Sequence, residues 1–147
     1  MTENMKQLLV NELKLLADAR DVLLYSFNKC SAIGIKETYA PEELESFESF
    51  TGRFARLSDI LIHKVFRLLD ELDLEAQGSI RDRINRAEKK ELVASGDVFV
   101  EIRMIRNEIA HEYLPEAIQE IFVKVLALTP HLLDSVERTI VYSVRFS

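Results

Sequence analysis

Long ladders of apolar residues at three- and four-residue steps constrain this chain most. Leu9, Leu13, Leu16, Leu23, Phe27 and Cys30 make one ladder, and Phe47, Phe50, Phe54, Leu57, Leu61, Val65, Leu68 and Leu72 make a second. Ile118, Ile121, Val125, Leu128, Leu132, Val136 and Ile140 make a third, and Val98, Ile102, Ile105 and Ile109 a shorter fourth. Each ladder falls on a single stripe of an α-helix. Turn material is scarce: 4 Gly and 3 Pro among 147 residues do not suit a many-stranded sandwich or barrel.

The spacing predicts a first helix from about Thr2 to Ser31 and a second from Pro41 to about Leu74, Pro being tolerated in a first turn. A short basic helix follows the loop at Gln77-Gly78-Ser79, from about Ile80 to Val93. Asp97 is the expected N-cap of a fourth helix, which ends before Pro115 because the residue preceding proline leaves the α region. A fifth runs to about Tyr142, with Pro130 expected to kink or split it. Single-stripe helices must bury their stripes. The expected fold is therefore all-α: an antiparallel up-and-down four-helix bundle with an additional short helix, one domain over residues 1–147. The long stripes exceed what such a core needs, and a homodimer would bury the excess.

Composition narrows the class. Apolar residues make up 48% and charged residues 30%, an ordinary globular balance. The lone Cys30 excludes an intramolecular disulfide or a cysteine-cluster metal site, and its stripe position makes a buried, inert thiol the expectation. No run of about 18 apolar residues is present, and Glu3, Lys6 and Glu12 break up any secretory leader, so the expected location is the cytoplasm with no membrane contact. The net charge of −6 argues against coating nucleic acid by bulk electrostatics. Positive charge is instead concentrated in the short helix, where Arg81, Arg83, Arg86, Lys89 and Lys90 stand against Asp82 and Glu88. Those five cations, with Arg103, are the candidate contacts for an anionic partner such as a nucleic-acid strand. The alternative is a solvated face of balanced charges.

Few side chains offer chemistry. His63 stands two positions from both Leu61 and Val65, which reads as a solvated surface residue, and His131 follows Pro130 as a polar residue of the kink. Neither has a His or carboxylate at i+4, so no helical metal pair is indicated. Glu42, Glu43, Glu45 and Glu48 crowd a helix start, where acidic residues suit the dipole. No phosphate-binding glycine loop or nucleophile elbow occurs.

The segment Arg106-Asn107-Glu108-Ile109-Ala110-His111-Glu112-Tyr113 is different. It gathers a fixed cation, an amide, an imidazole and a phenol at the end of a helix. Imidazole shuttles protons near neutral pH, and guanidinium grips phosphoryl oxygens in a fork. RNA carries its own nucleophile in the 2′-hydroxyl, so cleavage there needs only a base, an acid and charge stabilisation. Arg106 and His111 lie about 140° apart on an ideal helix. They converge only if the helix unwinds before His111 or if two copies meet across a twofold axis. In a purely structural reading, the Arg106 stem covers Ile102 and Ile109, and His111 and Tyr113 fasten the helix end.

With Arg106-Asn107 followed by His111 and Tyr113 at the end of the penultimate long helix, the chain resembles the HEPN domain family (higher eukaryotes and prokaryotes nucleotide-binding), nearest its HepT-like toxin branch. The resemblance covers essentially the whole chain. It implies a helical bundle that dimerises so that two motif copies face one cleft, and in many members metal-independent endoribonuclease activity. Arg106 would then hold the scissile phosphate, His111 transfer protons and Asn107 orient the site, with no cofactor. It also implies a nucleotidyltransferase antitoxin as partner, able to transfer AMP to Tyr113 and block the nuclease. The alternative within the family is a non-catalytic substrate- or nucleotide-binding subunit of a two-component nucleotidyltransferase. Outside it, the alternative is a helical scaffold.

Overall fold

A computed structural model describes residues 2–111 and 115–147. Helices α1 (Thr2–Ile33), α2 (Pro41–Asp59), α3 (Phe66–Leu72), α4 (Ile80–Lys89), α5 (Gly96–His111) and α6 (Pro115–Ser143) make up the chain, with a π-helical segment at Ile60–Val65 and a final 3-10 turn at Val144–Phe146. The π segment joins α2 and α3 into one continuous rod.

Helix boundaries follow local chemistry. Gly34 ends α1 with φ of +74°, a conformation that favours glycine, and its N–H bonds the Cys30 carbonyl. At the start of α2 the Glu43 carboxylate accepts the Ala40 N–H at 2.8 Å. Ser79 and Asp82 cap α4 reciprocally at 3.1 and 3.0 Å. The N-cap of α5 is Ser95 rather than the expected Asp97, because its hydroxyl accepts the Val98 N–H at 3.3 Å. Helix α6 continues through Pro130 without splitting. Pro130 lies on the exposed side, where a carbonyl left without its helical donor can meet water.

The rod of α2 and α3 packs against α1 and α5, and α6 closes the ring against α1 and α5. Directions follow from the pairings. Arg53 on α2 donates to Ser26 on α1 at 2.8 Å and Cys30 Sγ meets the Ser46 carbonyl at 3.5 Å, so α1 and α2 are antiparallel. Asp59 and His63 meet Arg106 and Arg103 in reverse order, so α5 also opposes the rod. Phe122 of α6 stacks on Phe47 (ring centroids 3.6 Å apart), while Tyr142 reaches Asp73, so α6 runs with the rod. This is the expected up-and-down four-helix bundle, with α4 as the short extra helix.

The ladders supply the core, except that Ile118, the first residue of the third, is exposed. Leu16, Leu23, Cys30, Phe50, Phe54, Leu57, Leu61, Val65, Ile102, Val125, Leu132 and Val136 are all fully buried. Burial pushes the Cys30 thiol up to about 11, which keeps it protonated and unreactive. No helix among the described residues is long and apolar enough to cross a membrane.

Candidate functional site

The rod widens over Ile60–Val65, the segment from which His63 reaches α5. In the π segment the Phe66 N–H reaches back to the Leu61 carbonyl, five residues earlier. Such turns occur often at functional sites. Arg83, from α4, is buried beneath it and donates to the Ile62 carbonyl at 3.2 Å.

Two polar rungs link the rod to α5 at this point. In the first, Arg106 Nε and Nη2 each lie 2.8 Å from one of the Asp59 oxygens, a two-pronged pair. The hydrogen bond to Asp59 is the main reason the Arg106 guanidinium is raised above its ordinary pKa. In the second, Arg103 Nη1 donates to His63 Nε2 at 2.9 Å. Guanidinium has no acceptor atoms, so Nε2 must offer its lone pair. Burial first, then the Arg103 charge, holds His63 below the usual imidazole pKa, and Arg83 and Arg106 push the same way against Asp59. His63 is thus neutral and protonated on Nδ1, not the solvated surface residue that its spacing suggests. The turn and the reach of Arg103 bring it into a polar seam.

The rungs border a pocket of about 490 Å³. Asp59, His63 and Arg106 line it together with Arg56, Lys64 and, from α1, Leu15. Neither Arg56 nor Lys64 has an ion-pair partner among the described residues.

Helix α5 remains regular through His111, so unwinding does not bring Arg106 and His111 together. Asn107 and His111 are exposed and share a face one turn apart, while Arg106 turns toward the rod. Within one chain Arg106 meets Asp59 and stands near His63, and His111 looks outward. Tyr113 lies outside the described residues.

The basic helix is mostly turned inward. Arg86 donates twice to Asp70 at 3.1 and 2.9 Å, and Lys90 bonds Asp70 at 3.0 Å and Asp73 at 2.8 Å. With Arg83 buried and Arg103 on His63, only Arg81 and Lys89 among the six candidate RNA contacts are exposed, and Arg81 stands 3.8 Å from Asp97. Spacing explains the inward set: residues 83, 86 and 90 recur like a core stripe beside buried Ile84 and Ala87.

Comparison with protein-family models, with curated proteins and with solved structures returned no match to this chain.

Proposed function

We propose that this chain is a toxin-type endoribonuclease of the HEPN kind, working without a metal as a homodimer and restrained by a nucleotidyltransferase partner that transfers AMP to Tyr113. The observation that supports the reading is the Arg106–Asp59 pair at the rim of the pocket, with Asn107 and His111 exposed further along the same helix. Asp59 occupies one edge of the guanidinium and fixes its plane. The remaining N–H groups are free to meet phosphoryl oxygens, and a donor held in place beforehand stabilises growing charge without reorganising.

The chemistry needs two proton carriers. The RNA 2′-hydroxyl attacks the adjacent phosphorus, and His111 accepts its proton as the new O–P bond forms. The bond to the 5′ oxygen breaks, and the protonated His111 imidazole of a second copy gives that oxygen its proton. The products are a 2′,3′-cyclic phosphate and a 5′-hydroxyl.

Self-association is favoured by an exposed apolar row at seven-residue steps on α1: Leu8, Leu15 and Val22 are 47%, 42% and 44% exposed. Leu15 also lines the pocket that Arg106 borders, so a twofold contact through this row would set two such pockets side by side.

The test is RNA cleavage in the presence of chelator. His111→Ala and Arg106→Ala should each lower the rate by about 100-fold or more, with His111→Ala leaving the melting temperature unchanged because the residue is exposed. Undiminished cleavage by folded His111→Ala protein overturns the mechanism. One observation favours a second reading, the non-catalytic subunit of a two-component nucleotidyltransferase: Asp59 already neutralises Arg106. Wild-type protein that is inert toward RNA yet forms a stable complex with such a partner would establish it.

A further inference from the structure

The pocket at the π segment has a charge that neither the bundle nor the α5 motif requires. Its acidic residue, Asp59, is taken up by Arg106, which leaves Arg56 and Lys64 as surplus positive charge in a chain whose net charge is −6. Arg103 and the buried Arg83 stand behind the wall and add to the field. Arg103 occupies His63 Nε2, which fixes the imidazole proton on Nδ1, and Nδ1 has no acceptor among the described residues. The volume of about 490 Å³ is typical of sites for small ligands. It exists in part because Gly52 and Ala55 line it, and a Cβ added at Gly52 meets nothing within 4 Å.

We infer that this pocket is a phosphomonoester site, in which Arg56 and Lys64 hold the phosphate oxygens and the His63 Nδ1–H donates to one of them. Phosphate is the anion that suits two separate cations and a neutral ring donor converging on one space. The side chains beside them, Leu15 and Ile60, give the carrier of the phosphate an apolar wall. The Arg103 bond keeps His63 as a donor rather than a base, so the site binds and does not cleave. The inference does not rest on the nuclease reading, since His111 takes no part in it.

Titration of the full-length protein with inorganic phosphate, followed by NMR of the His63 ring and matched for ionic strength with chloride, tests it. Phosphate should saturate the His63 signals and move the ring's titration midpoint upward, because a bound dianion favours the imidazolium over the neutral ring. The Arg56→Ala/Lys64→Ala double variant should weaken the response at least tenfold. Gly52→Leu should do the same by filling the space on a helix that tolerates it. His111→Ala should leave the response intact, so loss of cleavage and loss of phosphate binding are separable. AMP against adenosine, and a 5′-phosphorylated against a 5′-hydroxyl trinucleotide, distinguish a free nucleotide from a strand end as the source. A response that chloride reproduces, or one equal in the double variant, overturns the proposal.

Discussion

Two ionic clusters join the rod of α2 and α3 to its neighbours, built from the same residue types and set in different surroundings. Around Asp70 the carboxylate side chain is 4% exposed, Arg86 and Lys90 fill both of its oxygens, and Asp73 beside it holds Lys90 and the Tyr142 hydroxyl. Around Asp59 the carboxylate is 35% exposed, Arg106 is 28% exposed, and the pair borders open space with uncommitted cations alongside. Satisfied donors in an enclosed place have nothing left to bind. The half-open cluster keeps donors aimed at a cavity, which is why function is sought there and stability is assigned to the other.

The sharpest way to break that division is to remove each carboxylate in turn. Asp70→Ala leaves Arg86 enclosed without its paired carboxylate and Lys90 with Asp73 alone, and should cost about 3 kcal/mol, the low end of the usual penalty for breaking a buried pair. Urea unfolding measures it. A loss under about 1 kcal/mol would mean that water reaches Arg86 and Lys90 and that the contrast between the clusters is false. Burial opposes the charge of Lys90, but its bonds to Asp73 and Asp70 prevail and raise its pKa. The part of the stability that Lys90 carries is therefore present below the ordinary lysine pKa and is lost as pH rises through the raised value.

Asp59→Ala is the matched control. The pair is partly solvated, so the variant should lose only about 1 kcal/mol or less. Chelator-resistant cleavage should fall by more than this small stability loss explains, because an untethered Arg106 loses its fixed orientation. A stability loss as large as that of Asp70→Ala would make the Asp59 rung structural and remove the support it gives to the functional reading.

The sequence made one side of this comparison far plainer than the other. Ladders such as Phe47 to Leu72 and Ile121 to Ile140 specify helices through spacing alone, because a stripe three or four apart has only one way to be buried. Arg106, Asn107 and His111 stood out as a group by residue type. The partners of Arg106 did not, because they depend on which helices become neighbours. Asp59 and His63, four apart on the rod, match Arg103 and Arg106, three apart on α5, only once the two helices are known to be antiparallel. The π segment gives no sequence mark at all, and it widens the rod where His63 must turn inward. The charge of the basic helix was legible, but its inward orientation required reading Arg83, Arg86 and Lys90 with the spacing otherwise reserved for apolar residues.

The smallest expected effect tests the second rung. His63 is held neutral, with its pKa below the ordinary imidazole value, chiefly by burial and then by Arg103. The unfolded chain therefore binds the proton more readily than the folded one, and stability falls as pH drops from the unfolded imidazole value, about 6.5, through the lower folded value. Above that window both states are neutral and the residue contributes no pH dependence. His63→Gln should flatten this part of the stability profile, because glutamine can accept the Arg103 bond through its carbonyl oxygen and takes up no proton. Thermal melts at pH 7.5 and pH 5 would read the difference. An unchanged slope would mean that His63 titrates as freely as an exposed histidine, and would place the Arg103 rung outside the enclosed seam and wholly on the solvent side of the comparison.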